Sequence, residues 1–279
     1  MIVKQNNSKT QIKSRTIIMA FYSPQGGTGK TTISFNIAVN YALKKLKVLF
    51  IDIGLFSSID NYFYKKLPGK GINYLFSILR QDSSILNMDT SNSYIKDAVY
   101  NFLPDYLDVL IPDNPIAMDS VVFDEMEQLL DVIAASRLYD AVIVDMTSEL
   151  SERNIATMVR AQYLMLVINP DVSAMHKLMS FKNNVASQIA LNDAKIKVIA
   201  NRCIRQASAV TDEIKDITGY EVIEKIPENY SEILSGINAG IPAAMNGGSD
   251  FNVHIKRIAS KYLDVFSDCE LKLKRRLFA

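Results

Sequence analysis

Five short runs are apolar at nearly every position: 16–22 (TIIMAFY), 48–52 (VLFID), 141–145 (AVIVD), 163–169 (YLMLVIN) and 197–201 (KVIAN). A strand with one wet face alternates apolar and polar residues, so a run without alternation predicts a strand buried on both faces. Two weaker runs, 107–111 closed by Pro112 and 220–226, read as further strands. Between them the period lengthens to that of a helix, after the glycine loop at 23–29 and at 74–79, 121–136, 151–160, 173–190, 209–217, 230–238 and 252–266. Residues 56–104 are mixed, with Pro68, Gly69 and Gly71 marking a turn. Strand and helix in alternation predict an α/β fold with a doubly wound, mainly parallel sheet and helices on both faces. No repeat or low-complexity linker divides the chain. The expected organisation is a polar leader at 1–15, one domain at 16–266 and a basic amphipathic tail at 267–279.

Composition narrows the function classes. With 279 residues, 48% apolar and 22% charged, the chain can bury a large core. A formal net charge of +1 supplies no overall field toward nucleic acid, so DNA is not an expected partner. Cys203 and Cys269 stand far apart and outside any CxxC pair, which excludes a disulfide framework and a zinc site of the usual spacing. His176 and His254 have no partner pattern, and the tyrosines and methionines are scattered as core residues are. The first 15 residues lack the apolar stretch of a signal peptide, and no run reaches the roughly 18 to 20 apolar residues of a spanning helix. A cytoplasmic protein is expected, with any membrane contact made from the surface.

The candidate chemistry lies between the first strand and the first long helix, in Pro24-Gln25-Gly26-Gly27-Thr28-Gly29-Lys30-Thr31-Thr32. Strand, glycine turn and helix are the context a phosphate loop requires. Gly26, Gly27 and Gly29 let backbone N–H groups close around phosphate oxygens. The helix start adds free N–H groups and the positive end of its dipole. Lys30 would reach the β/γ-phosphates, the Thr31 hydroxyl would ligate Mg²⁺, and Thr32 would contact phosphate. The general pattern G-x-x-x-x-G-K-[ST] is met except at its first position, which is Pro24.

Gly26-Gly27-Thr28-Gly29-Lys30-Thr31-Thr32, together with Asn36-Ile37-Ala38 in the helix, resembles the deviant Walker A loop of the MinD/ParA family. The likeness runs from about 16 to 263. Val48–Asp52 is similar to the second family motif, a strand ending in aspartate, and 139–145 to the strand ending in the Walker B aspartate. Asn201-Arg202 and Ile226-Pro227-Glu228 match the segments that enclose adenine, and Gly240 with Pro242 matches a Gly-x-Pro. The resemblance implies ATP and Mg²⁺ as ligands, Asp145 holding a metal-bound water, Asp52 supporting the same site, and a homodimer with ATP at its interface.

The departures are as informative. The family's signature lysine, which reaches across the dimer to the partner's nucleotide, is replaced by Gln25. Where the family has Asp-x-Asp, this chain has Asp52-Ile53-Gly54; a two-residue slip would instead make Asp52 the second aspartate and Phe50 the loss. No proline follows Asp145. Loss of a cross-dimer cation and a water-handling carboxylate spares binding more than hydrolysis, because phosphoryl transfer rests on positioning and charge neutralisation. The expectation is a slow ATPase whose ATP-bound dimer localises a partner assembly. The missing lysine resembles the CpaE/TadZ branch, which positions pilus and secretion machinery; only the 15 leader residues precede the first strand, so the receiver-like domain such proteins often carry is not expected. The segment 271–279 (LKLKRRLFA) resembles the membrane-targeting tail of MinD, and reads either as a contact with an anionic bilayer or as a solvated or packed helix end. A cycling MinD- or flagellar-number-type membrane ATPase and a ParA-type DNA partition ATPase are the alternatives. A tyrosine-tailed kinase and a cluster-binding reductase lack their residues.

Overall fold

The computed structural model describes residues 16–57, 59, 62, 69–81, 88–204 and 208–263. The leader at 1–15 and the tail at 267–279 lie outside the described residues. The strands are β1 (Ile17–Tyr22), β2 (Val48–Asp52), β3 (Tyr100–Leu103), β4 (Leu107–Leu110), β5 (Ala141–Asp145), β6 (Tyr163–Ile168), β7 (Ile196–Cys203) and β8 (Glu221–Pro227). They form an eight-stranded sheet in the order β3-β4-β2-β5-β1-β6-β7-β8. Every pairing is parallel except β3 with β4.

The helices are α1 (Lys30–Leu43), α2 (Ile72–Gln81), α3 (Met88–Ala98), α4 (Pro115–Asp119), α5 (Phe123–Ser136), α6 (Glu152–Arg160), α7 (Val172–Phe181), α8 (Ser208–Thr218), α9 (Tyr230–Asn238) and α10 (Asp250–Lys261). Successive strand residues point to opposite faces, so each central strand feeds two cores. In β1, Ile18, Ala20 and Tyr22 join the core under α2, α5, α6 and α7, while Met19 and Phe21 join the one under α1 and α10. This is the physical content of the unbroken apolar runs: both faces are covered.

α1 is the central helix of the second core. Every residue from Ile33 to Ala42 is buried. Its polar members are satisfied by design of the neighbourhood: Asn36 donates from Nδ2 to the Thr32 carbonyl at 2.8 Å and accepts from the Ala244 N–H at 2.7 Å. Asn36 is thereby tied to the short turn Ala243–Met245 that follows Gly240-x-Pro242.

Four elements differ from the sequence reading. β3 is an additional edge strand, half-exposed, joined to β4 by a turn in which Asp105 takes φ 69°. α3 and the five-residue α4 lie within stretches read as mixed or as loop. The helix expected at 173–190 ends at Phe181 and continues as a π-turn over Lys182–Ala186.

The topology positions the site. β1 lies between β5 and β6; from β1 the chain passes through α1 to β2 on one side, while β5 connects through α6 to β6 on the other. The carboxyl end of β1 is thus the switch point, where open parallel sheets leave a crevice for ligands.

Candidate functional site: a phosphate loop facing two buried aspartates

The chain leaves β1 at Tyr22 and enters α1 at Lys30 through a loop bent by two left-handed glycines, Gly27 (φ 72°) and Gly29 (φ 86°). α4, α7 and α10 are each capped by a side chain: Asn114, Asp171 and Ser249 accept from the N–H of Ala117, Ala174 and Asn252. α1 has no side-chain cap and no acidic residue in its first turn. Its first N–H groups, with the positive end of the helix dipole, are left for an anion. Thr28 is fully buried, and its Oγ1 has no hydrogen-bond partner. Behind the loop, Asn201 donates from Nδ2 to the Thr28 carbonyl at 2.7 Å.

Lys30 donates from Nζ to Ser148 Oγ at 3.0 Å, and Ser148 Oγ in turn donates to the Gln25 carbonyl at 3.2 Å. Burial lowers the Lys30 pKa, and the charges of Asp145, Asp52 and Glu149 partly offset this. The ammonium therefore sits in a partly buried position that gains from any added anion. Thr31 donates from Oγ1 to Asp145 Oδ2 at 2.5 Å, and Ser34, one turn on, donates to Asp145 Oδ1 at 3.1 Å.

Asp145 and Asp52 are the last residues of adjacent strands and stand opposite each other in register. They are 3% and 4% exposed. Asp52 accepts from the Gly54 N–H and from Ser57 Oγ, each at 2.8 Å. Burial, then the nearby Asp52 charge, pushes the Asp145 carboxyl up to about 7, while Thr31, Lys30 and Ser34 pull the other way. Two buried carboxylates beside a hydroxyl are a hard-donor set that a divalent cation would relieve. The residues present therefore fit Mg²⁺, with the Thr31 hydroxyl and Asp145 holding it. The missing second carboxylate would lie at Gly54, where a Cβ would come within 3.0 Å of Asp52 Oδ1.

The sign of that pKa displacement gives a prediction. A carboxyl whose folded pKa is raised from 3.8 to about 7 costs the folded state progressively as pH rises between those values, and fully above them. Asp145→Asn is expected to melt several degrees higher than the parent at pH 8 without ligand, with a smaller gap at pH 5.5. Added Mg²⁺ and ATP reverse the order, because the variant loses the metal-dependent gain. Thermal melts at both pH values, with and without Mg²⁺ and ATP, check this.

Beside the loop is a pocket with Gly29 and Thr32 on one wall, Asn201, Arg202 and Glu228 on another, and Ile233 and Leu234 of α9 on the third. Arg202 takes φ 55°, and its Nε lies 3.9 Å from Glu228 Oε2. Of the adenine segments expected from sequence, Asn201, Arg202 and Glu228 come together here. Ile226 and Pro227 do not line this pocket: Ile226 is buried in the core, and both border a neighbouring cleft with Asp250 and His254. Gln25 sits at the rim of the loop, with its N–H donating to Ser23 Oγ at 3.1 Å and its Oε1 buried and unpartnered. Ser34, Ser57, Ser148 and the α9 wall were not picked out by sequence. Ser34 had a signal, its spacing of one helical turn from Thr31; Ser148 had none.

Residues 19–235 match the family model described as the CobQ/CobB/MinD/ParA nucleotide binding domain. An uncharacterised ATP-binding protein of Methanocaldococcus jannaschii is 25% identical over 267 residues, covering 94% of this chain and 93% of that protein. A ParA family ATPase of Chlorobium tepidum superposes with a TM-score of 0.73 at 19% identity, over 87% of this chain and 98% of that one. The septum site-determining protein MinD of Pyrococcus horikoshii, solved in complex with Mg-ADP, superposes with a TM-score of 0.68 at 21% identity, over 91% and 98%. The family model spans well over half of the sequence, the fold superposes on the two solved structures over most of its length, and the chain belongs to the CobQ/CobB/MinD/ParA nucleotide-binding family.

Proposed function

We propose that this protein is an ATP-gated positioning switch that binds ATP with Mg²⁺ at the strand ends and hydrolyses it slowly. One observation carries the reading: the uncapped, glycine-bent start of α1 presents Lys30 and Thr31 directly against the buried Asp145. The N–H groups of the loop and Lys30 would hold the phosphates. Thr31 and Asp145 would hold the metal, with Asp52 supporting, and Asn201, Arg202 and Glu228 would enclose the base. The metal neutralises charge on the phosphates; the chain's residues orient them and keep the crevice dry.

ATP would gate a homodimer. Exposed Phe56, Ile116 and Leu150 lie on segments following β2, β4 and β5, at the same end of the sheet as the phosphate loop. They supply apolar surface beside the nucleotide that a second copy would cover. Gln25, neutral where the family carries a lysine, and Gly54, without a carboxylate, are the basis for slow turnover. This pairing of intact binding groups with missing hydrolytic ones supports a CpaE/TadZ-like role, localising pilus or secretion machinery at the inner membrane face. Among the described residues no helix is long and apolar enough to cross a membrane. The basic 267–279 tail would give peripheral contact.

A ParA-type reading has its own observation. Lys256, Arg257 and Lys261 share one face of α10, with Lys44 of α1 close enough to Lys256 for their charges to oppose. DNA retention that weakens with salt would favour it.

The test is phosphate release at saturating Mg²⁺ and ATP, with and without anionic vesicles, for the parent and Gln25→Lys. The expected parent rate is slow and vesicle-independent. Gln25→Lys is expected to raise it about 10-fold, roughly the transition-state gain of one added charge-assisted hydrogen bond. A parent that releases phosphate briskly, or only on vesicles, would sink the slow-switch reading in favour of a cycling MinD-type ATPase.

A further inference from the structure

Arg153, in the first turn of α6, is 1% exposed and is the largest fully buried side chain among the described residues. Its guanidinium reaches three separate segments. Nη2 donates to Glu149 Oε1 at 2.5 Å, Nη1 lies 3.5 Å from Asp119 Oδ1, and Nε donates to the Ile53 carbonyl at 3.3 Å. Those partners follow β5, end α4 beyond β4, and follow β2. One planar cation thus fastens three loops that surround the carboxyl ends of the site strands.

A buried charge is an expensive way to fill space. An apolar side chain of the same volume often serves stability as well or better, and what the ion pair adds is geometry. Here the geometry is that of the loop after Asp145. Asn154, the next residue and fully buried, donates from Nδ2 to Thr147 Oγ1 at 2.7 Å and to the Glu149 carbonyl at 2.7 Å. With Arg153 on the Glu149 carboxylate, the residues flanking Ser148 are held on both sides. Ser148 is left presenting its hydroxyl to Lys30 and to the Gln25 carbonyl, while its own carbonyl accepts from Tyr22 OH at 3.2 Å.

We infer that Arg153 is a positioning residue of the nucleotide site: through Glu149 it sets Ser148, which steers Lys30 and pins the phosphate loop. The inference rests on the reading of this loop as the Mg²⁺·ATP site. It assigns a role to a residue that touches neither phosphate nor metal, and it makes the Lys30 position depend on the segments after β2 and β4 as well as on the loop itself.

The test is a double-mutant cycle read by calorimetric Kd for ATP with Mg²⁺, alongside thermal melts. Ser148→Ala and Arg153→Gln are each expected to weaken binding about 5- to 10-fold, and the double variant to be no weaker than Arg153→Gln alone, because groups in one network are non-additive. Arg153→Lys keeps the charge but not the three-way reach; it is expected to melt near the parent and still bind weakly. Glu149→Gln and Asp119→Asn alter exposed partners and leave Arg153 one carboxylate each, so they put folding at less risk than Arg153→Gln, and the melts check it; the first is expected to weaken binding and to be non-additive with Ser148→Ala, the second to weaken it less. If Arg153→Gln does not fold, the Glu149–Ser148 cycle decides alone. Additive losses in the decisive cycle, or Arg153→Lys and Glu149→Gln that bind as the parent does, would overturn the inference while leaving the nucleotide reading intact. A parent that binds no ATP with Mg²⁺ would overturn both.

Discussion

Lys30→Met is expected to weaken binding of ATP with Mg²⁺ by about 100-fold or more without lowering the melting temperature. The lysine is a partly buried cation whose pKa burial lowers, and it donates to a neutral hydroxyl. Its charge costs the ligand-free protein free energy that Asp145, Asp52 and Glu149 offset only in part, and phosphate oxygens would compensate the rest. Charge-assisted hydrogen bonds contribute roughly 1.5–3 kcal/mol each, so losing two corresponds to about two decades or more in Kd. Methionine matches the stem in length and removes the cost of the charge, so the variant's melting temperature is expected to equal or exceed the parent's. Calorimetry and a melt on the same sample separate the two effects. A variant that loses stability in proportion to affinity would mean that Lys30 is a structural brace.

A large loss of stability from a small change is expected at Gly29→Ala. The residue takes φ 86°, where an L side chain is strained, and a Cβ would stand 2.5 Å from Asn201 Nδ2. Asn201 would have to leave the Thr28 carbonyl that it serves at 2.7 Å inside the protein. Strain of about 1 kcal/mol or more and a lost buried hydrogen bond of about 1–3 kcal/mol sum to roughly 2–4 kcal/mol. For a chain of this size that lowers the melting temperature by about 5–15 °C. Gly26→Ala is the control. Nothing lies within 4 Å of its Cβ position and its φ is not positive, so its melt is expected to stay within about 2 °C of the parent. Binding of ATP is expected to fail in Gly29→Ala, since the same glycine begins α1.

Much of this architecture could be read from the chain because its strands are buried on two faces. Val48–Asp52 and Ala141–Asp145 have no polar residue before their terminal aspartate, and both strands begin and end where the apolar runs do. β3 was not legible for the converse reason: Tyr100–Leu103 is a half-exposed edge strand with neither strict alternation nor a continuous apolar run. Strand order was also out of reach. That β2 neighbours β5, so that Asp52 faces Asp145, depends on pairing across about 90 residues. The aspartates could be nominated only by resemblance, and the pairing then gave them a physical reason to take a cation.

The phosphate loop was legible because its parts are contiguous: glycines, lysine and hydroxyls follow one another between a strand and a helix. The pocket beside the loop was legible in part. Asn201, Arg202 and Glu228 reach it, but strand alternation turns Ile226 into the core, which a motif carried over whole does not foresee. Ser148 and Arg153 left no trace in spacing at all. Their roles arise from three loops meeting in space, and a serine in the loop after a strand, or an arginine opening an amphipathic helix, looks like ordinary surface chemistry in one dimension.

The central claim is that the glycine-bent start of α1 and the Asp145 carboxylate form one Mg²⁺-dependent ATP site. Titration calorimetry of the full chain with ATP, in Mg²⁺ and again in excess EDTA, tests it most directly. Saturable binding of one ATP per chain is expected, weakened at least 10-fold without the metal and collapsing in Lys30→Met. Binding that is indifferent to both the metal and Lys30, or no binding, would contradict it.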